Sequence, residues 1–470
     1  MIRIFIAFII GALSHGCVAQ IPENREAAFI FAVDQLQSGN PAVAASAAWR
    51  YLQGANADDP RYDRAQRLLA RSSQRMGLRY AAAQSFLDIA QGRRDPEILA
   101  EAIRGLQRII ESGAYDEDAL IDGYLASAEI DGLPEDLQAF VDYHQGLRDA
   151  RLLRGKWSKD NFAKLPTNSP YAAEAQYVGA VQAVASRQLK PAIKQLETIE
   201  KSPHLSTRLA SDVRRSLARL HAHLGAFEDA LTRYELLRQE APNDPELLFE
   251  MAWVHYDQGD IRRALGLLLA LDAPIYSDLI APDRFLLEAL ALRRLCQFGP
   301  ARRAATRLKA KHGDALNELY EGVPLLRSKA MRAAARRRPA VRTQSAFYDR
   351  IRKESIALDS KGLSPALTSH LATLYDRGVQ EARRGLEAKL SGEVDALADE
   401  LLEAEEGVNL ILHELGVGLL RGRERAPGPP LVPAPTVTAS GRTAYFRFEG
   451  EFWTDELDDL IVVAEDRCIE

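Results

Sequence analysis

One spacing recurs along this chain and constrains its fold more than any other feature. A small residue is followed twelve positions later by Ala and sixteen positions later by an apolar or aromatic residue, or again by Ala. It reads Ala32/Ala44/Ala48, Ala70/Ala82/Phe86, Ala180/Ala192/Leu196, Ala218/Ala230/Tyr234, Ala252/Ala264/Leu268 and Ala289/Ala301/Ala305. Successive copies start 38 residues apart (Ala32 to Ala70, Ala180 to Ala218), then 34 (Ala218 to Ala252) and 37 (Ala252 to Ala289). Periods of this size mark stacked supersecondary units. Small residues at both positions let two antiparallel helices approach closely. Gly225 and Gly259 stand where a left-handed turn between helices is cheap only for Gly. Pro242, in Ala241-Pro242-Asn243-Asp244-Pro245, ends one hairpin and starts the next. No hairpin buries its apolar face alone, so the expectation is a curved solenoid with a concave surface. A chain of 470 residues with 47% hydrophobic but 7% aromatic residues suits such an array better than one compact core.

Two units carry the fuller pattern: Leu217-Ala218, Gly225, Ala230, Tyr234, Leu237 and Pro242, then Met251-Ala252, Gly259, Ala264, Leu268 and Leu271. At these positions the chain resembles the tetratricopeptide repeat, whose period is about 34 residues. The resemblance implies a repeat solenoid over 20–312, in unbroken register from 211 to 278. Between 97 and 170 the register is degenerate. Helices are expected at Glu97 to Ile110, Asp118 to Ile130 and Pro134 to Arg154, with a turn-like break at Trp157-Ser158-Lys159-Asp160.

Beyond 312 the texture changes, and 313–425 reads as a region of long helices. Phe347, Ile351, Glu354 and Leu358 outline one helix. Gly362, Ser364 and Pro365 then give a stop followed by a capped start. Leu390, Val394, Leu397, Leu401, Ala404, Val408, Ile411 and Leu415 alternate in steps of four and three, a coiled-coil-like seam. A long helical hairpin or arm packing back on the solenoid is the economical reading, and self-association through the 390–415 seam is its rival. Gly378, Gly385 and Gly392 recur every seven residues and either weaken this helix or mark close packing. Between Arg327 and Arg342 seven basic residues occur with no acidic one (Arg327, Lys329, Arg332, Arg336, Arg337, Arg338, Arg342). This is either a patch for an anionic partner, centred on Arg332, Arg336, Arg337 and Arg338, or a solvated linker ended by Pro339. Runs of like charge favour the linker.

Residues 426–442 form a stiff Pro-rich linker. After it, 443–470 is an acidic, aromatic β tail. Its expected strands are Thr443 to Phe448 and Leu460 to Val463, a short C-terminal β-hairpin that must dock to be stable. The predicted fold class is therefore all-α: a helical-hairpin solenoid, a long-helix arm and this hairpin.

The N-terminus reads as a signal peptide over 1–19. Arg3 precedes an apolar stretch from Ile4 to Leu13, and Cys17 and Ala19 give the small-x-small pattern for cleavage after Ala19. Ten apolar residues are too few to cross a bilayer. Lipidation at Cys17, after Gly16, is a second reading that the cleavage pattern favours less. No later segment is long and apolar enough to span a membrane, and the signal implies an exported protein, periplasmic or outer-membrane-associated. Cleavage leaves Cys296 and Cys468, which either bridge in an oxidising compartment or remain unrelated thiols. A formal net charge of -6 argues against general nucleic-acid binding.

The tail run Phe448-Glu449-Gly450-Glu451-Phe452-Trp453-Thr454-Asp455-Glu456-Leu457, ending in Arg467-Cys468, resembles the C-terminus of exported tetratricopeptide proteins of gliding and predatory Gram-negative bacteria. Leu295-Cys296-Gln297-Phe298 with Ala301 fits a second feature of that group. The resemblance implies an envelope scaffold, in motility or surface assembly, that binds other envelope proteins through its concave surface. It also implies a Cys296–Cys468 bridge.

Signs of catalysis are few. His221 and His223 point about 200° apart on a helix and share no metal. His413-Glu414 begins like a zinc-protease helix, but Val417 stands where the second His is needed. His255 occupies a packing position of the repeat. Asp455 and Glu456, beside Trp453, diverge on a strand. No catalytic, metal or cofactor residue is assigned, and no cofactor is expected. Two other functions stand beside the scaffold: a protein that binds or modifies cell-wall polymer through a cryptic site, and an oligomeric unit built on the seam.

Overall fold

The computed structural model describes residues 20–112, 130–203, 205–276, 281–421, 424–433 and 460–468. The helices are α1 Arg25–Gln37, α2 Pro41–Leu52, α3 Tyr62–Arg75, α4 Arg79–Gly92, α5 Pro96–Glu111, α6 Glu135–Arg151, α7 Gly155–Phe162, α8 Pro170–Ala185 and α9 Leu189–Glu200. They continue as α10 Thr207–His223, α11 Phe227–Glu240, α12 Pro245–Gln258, α13 Ile261–Ala270, α14 Asp283–Arg294, α15 Phe298–Tyr320, α16 Lys329–Ala335, α17 Pro339–Ala357 and α18 Pro365–Arg421. No strand occurs among the described residues. The chain divides into two compact units, residues 1–120 with 347–381, and residues 121–346 with 382–470.

Each copy of the spacing is a helical hairpin, and its three signature positions are buried, from Ala32, Ala44 and Ala48 through to Ala289, Ala301 and Ala305. Seven positions after the first signature residue the backbone turns left-handed: Gly39 (φ 82°), Gly77 (φ 81°), Gly225 (φ 77°) and Gly259 (φ 87°). Arg187 (φ 60°) and Cys296 (φ 52°) take the same turn without being Gly. So does Leu153 (φ 57°), seven positions after Gly146. The α6–α7 hairpin is therefore a further copy, with Gly146, Ser158 and Phe162 at the signature positions. Ser158 is fully buried, and a methyl on Gly146 would strike the Phe162 ring. Gly and Ser are small enough for the close approach, so the helices pack alike although no Ala marks them. Trp157 to Asp160, expected as a turn-like break, lie inside α7. The helix expected at Asp118 to Ile130 falls almost entirely outside the described residues.

In the first unit, residues 347–381 close the stack of α1–α5 with polar contacts. The carboxylate of Glu354 accepts from the backbone N–H of Tyr80 at the start of α4 (2.9 Å), 274 residues away, and from the Tyr375 hydroxyl (2.7 Å). Lys361 Nζ donates to Met76 O at the end of α3 (2.8 Å), and the backbone N–H of Ser364 donates to Ser46 Oγ of α2 (2.8 Å). His370 stacks on Trp49 with ring centroids 3.8 Å apart. Gly378 is a close-approach residue, because a Cβ there would collide with the Tyr80 ring.

The second unit is closed by apolar packing. Val394, Leu397, Leu401, Ala404, Val408, Ile411 and Leu415 are buried with Phe285, Ala289, Ala304, Leu308 and Met331 of α14–α16. The seam is thus covered within its own chain, which removes the surface that the self-association reading needs. α15 runs unbroken through 312–313, where the solenoid was expected to end. The basic run is not a linker either. Ser328 caps α16 by accepting from Met331 N–H (3.2 Å), α16 buries Met331, Ala334 and Ala335, and Pro339 opens α17.

Two C-terminal segments, 424–433 and 460–468, lie across the inter-helix turns as a strap. Val432 N–H donates to Gly259 O (3.1 Å), Val462 N–H to Arg262 O (3.2 Å) and Arg467 N–H to Leu295 O (2.9 Å). Leu460 to Val463, expected as a strand, is irregular, because these N–H groups bond helix-turn carbonyls and not a partner strand. The other expected strand, 443–448, lies outside the described residues. Part of the Pro-rich linker is docked as well: Ala426 is buried, and Pro429 O accepts from the Arg294 guanidinium. Cys296 and Cys468 are joined, with Cα atoms 4.9 Å apart.

Candidate binding cavity

Within the second unit a cavity of about 730 Å³ opens beside the turn that separates the α10–α11 and α12–α13 hairpins. That volume falls in the range of small-ligand pockets, about 300–1,000 Å³. Its first wall is the 241–244 turn with Pro245, Glu246 and Phe249 of α12. A second is Ile275, Tyr276 and the start of α14 at Pro282 and Asp283. The third comes from outside the repeats: Arg337, Arg338, Pro339 and Arg342, with Leu397 and Glu400 of α18.

The sequence places these groups by helix-start chemistry. Asp244 caps α12 by accepting from Glu246 N–H (3.0 Å), with Pro245 at the first helical position. That fixes Glu246 and Phe249 one turn apart on the cavity side. Pro242 lies in the same wall. Ala218, Ala230, Tyr234, Ala252 and Ala264 are buried behind it as hairpin contacts, not as a surface.

Two arginines hold most of the acidic lining. Arg215 pairs with Asp244 (3.4 Å), Glu246 (3.1 Å) and Glu250 (2.8 Å). Burial pulls the Glu250 carboxyl upward, but hydrogen bonds from Arg219 and Arg215 outweigh it and hold the carboxyl below its ordinary range. Arg338 grips Glu400 at 2.6 and 2.8 Å, with Glu393 (3.9 Å) and Glu246 (3.8 Å) further off. Burial raises Glu400, and Arg338 offsets only part of that. Burial, helped by Glu403, also raises Asp283, which pairs with no cation among the described residues. Arg332, Arg336 and Arg342 carry no ion pair among the described residues, and Arg342 lines the cavity together with the unpaired Asp283.

Of the residues singled out beforehand, Arg337 and Arg338 line the cavity, while Arg332 and Arg336 sit on or just past α16. Cys296 and Cys468 meet at the strap, away from this lining. Ala19 and Cys17 lie outside the described residues, as do Asp455 and Glu456. Burial pushes the His255 imidazole below its usual range, and the ring packs inside α12–α13. Sequence reading missed Asp283, Glu400 and Arg215. The signal available was weak: an Asp-Pro pair before α12 and an acid on the seam helix.

Among the described residues no group of His, Cys, Asp and Glu is placed to hold a metal ion, and no helix is long and apolar enough to cross a membrane. No protein-family model matches the chain, and no curated protein does. Among solved structures it is similar to a tetratricopeptide repeat protein from Parabacteroides merdae. The match has 13% identity and a TM-score of 0.25 and covers 63% of this chain and 97% of that one. So low a score carries no argument, and the repeat reading rests on the register and packing described above.

Proposed function

We propose that the chain is an exported, non-catalytic helical-repeat scaffold that binds other proteins in a Gram-negative cell envelope. The observation that carries this reading is the hairpin register, which puts its most regular positions into helix-helix contact and none into a reactive cluster. Repeat stacks of this kind display extended surfaces for partner segments. The signal-like residues 1–19 support export with cleavage after Ala19, in preference to lipidation at Cys17. The resemblance of the tail to envelope proteins of gliding and predatory bacteria supports a role in motility or surface assembly.

This reading puts partner contact at the cavity, where Phe249, Ile275 and Leu397 stand beside Arg342, and at the unpaired cations Arg332 and Arg336. The test is a photoreactive residue at position 342, cross-linked in the native envelope. A discrete protein adduct that disappears when Arg332→Glu and Arg336→Glu are added to the probe-bearing chain supports the scaffold. An adduct pattern identical to that from a probe at Arg61 contradicts it.

A second reading keeps one observation in its favour. Asp283 and Glu400, both raised by burial, line one cavity as acid groups of a polymer-modifying enzyme would. The Arg338 clamp on Glu400 argues for a structural use of that carboxylate. Polymer cleavage abolished by Asp283→Asn would establish the enzyme, and no cleavage by the parent protein would remove it.

A further inference from the structure

We infer that the Cys296–Cys468 bridge is a redox lock: it holds the C-terminal strap over an apolar edge of the α12–α15 hairpins, and reduction uncovers that edge. The physiological use of the lock rests on the export reading above.

Three features of the seat support this. Ile261, Leu265, Ala291 and Leu295 are buried, packed against Leu431, Val462 and Ala464 of the strap. The helices have also been cut to fit a passing main chain. A Cβ on Gly259 would meet Pro430 O, and one on Gly266 would meet Leu460 O. The corresponding turn glycine of the preceding hairpin, Gly225, has nothing within 4 Å. Finally, Cys296 occupies the left-handed turn position that Gly holds in the neighbouring hairpins, and it is 2% exposed.

Non-covalent contacts alone hold such a strap weakly. Besides the three main-chain bonds, its polar bonds join side chains of the turns to strap carbonyls: Arg262 to Ala464 O (3.2 Å), Arg294 to Pro429 O and Gln297 to Glu465 O (2.6 Å). Each is an exchange for a bond to water and contributes little net. Every strap residue meanwhile loses main-chain freedom on docking. The bridge fastens the strap end at the α14–α15 turn, so docking of 460–467 becomes an intramolecular closure over a few residues.

The chemistry balances as thiol–disulfide exchange. One thiolate of the pair attacks the disulfide of an oxidant protein, forming a mixed disulfide and releasing one oxidant thiolate. The second thiolate displaces the other, so two electrons and two protons pass to the oxidant. A reducing compartment runs the exchange backwards. The edge is therefore uncovered before export and covered after it.

Amide hydrogen exchange on the purified full chain, oxidised and treated with dithiothreitol, tests the lock. Reduction or Cys468→Ser is expected to speed exchange at Val432, Val462 and Arg467 by about tenfold or more. Dye binding to apolar surface is expected to rise and helical circular dichroism to stay unchanged. Gly266→Ala is a second, oxidised variant whose helix is not weakened. It is expected to loosen Leu460 to Val462 and leave Arg467 protected. Exchange within about twofold of the oxidised protein overturns the proposal. So does a loss of helix in Cys468→Ser, which makes the bridge a fold support and not a lock. An unprocessed N-terminus in cells removes the export reading and leaves the lock intact, whereas unchanged exchange does the reverse.

Discussion

The first unit closes its hairpin stack with polar contacts set among buried side chains such as Leu367 and Leu371, and the second with an apolar seam and a covalent strap. Repeat stacks need capping elements, because the last hairpin has no neighbour to cover its face. In the first unit the cap centres on one carboxylate. Glu354 satisfies the start of α4 and the Tyr375 hydroxyl at once, inside a site where an unpaired group is costly. The second unit instead lays the residues from Val394 to Leu415 along α14–α16. The difference teaches that one kind of hairpin accepts either cap. The two units respond differently to mutation and oppositely to pH.

The largest effect is expected in the seam. Leu401→Ala removes a fully buried side chain and is expected to cost about 2–5 kcal/mol. In urea the second unit then unfolds at a lower midpoint and the first is unaffected. Equal shifts in both units break the comparison.

Next comes acid. Burial among Arg284 and Lys311 holds His312 of the second unit neutral, with its pKa pushed down to about 4. A proton binds the unfolded chain first, so this contribution is full above the ordinary value of about 6.5 and is lost as pH falls through about 4. Wild type is expected to lose roughly 2–4 kcal/mol across that window relative to His312→Leu, read from urea curves at each pH.

Glu354 has the opposite sign. Burial raises its carboxyl, and hydrogen bonds from Tyr80 N–H and the Tyr375 hydroxyl offset only part of that. The folded state binds the proton more tightly. Its contribution is therefore full below the ordinary carboxyl range and lost as pH rises through the raised value. Glu354→Gln keeps an acceptor and is expected to abolish this pH response. Glu354→Ala orphans two donors and is expected to cost about 2 kcal/mol. A first unit indifferent to both variants leaves its polar cap without a role.

The smallest effects sharpen the shared register. Arg187→Gly relieves a left-handed residue and is expected to stabilise by up to about 1 kcal/mol, whereas Gly225→Ala is expected to destabilise by a similar amount. Thermal melts of the pair are expected to move in opposite directions.

What could be read beforehand follows from the range of the interactions involved. Ala218, Ala230 and Tyr234 recur because helix-helix approach has a fixed period. The seam from Leu390 to Leu415 shows itself for the same reason. The α6–α7 hairpin escaped because Gly146 and Ser158 meet the size requirement with different letters. Glu354 could be placed on the stripe of its helix, but its role could not be read, since Tyr80, one of its partners, lies 274 residues away. Leu460 to Val463 was misread as a strand because a short aliphatic, β-branched run has strand composition whether its N–H groups meet a sheet or helix turns. The cavity was half legible: the arginine run was visible, but Arg215, Asp283 and Glu400 reach it only through tertiary packing.

Mass spectrometry of the mature protein, isolated from the envelope under thiol-blocking conditions, tests most directly the claim of an exported repeat scaffold fastened at its C-terminus. The expected result is a chain beginning at Gln20 and one cross-linked peptide pair joining Cys296 to Cys468. A chain retaining residues 1–19, with both cysteines recovered as blocked free thiols, would contradict it.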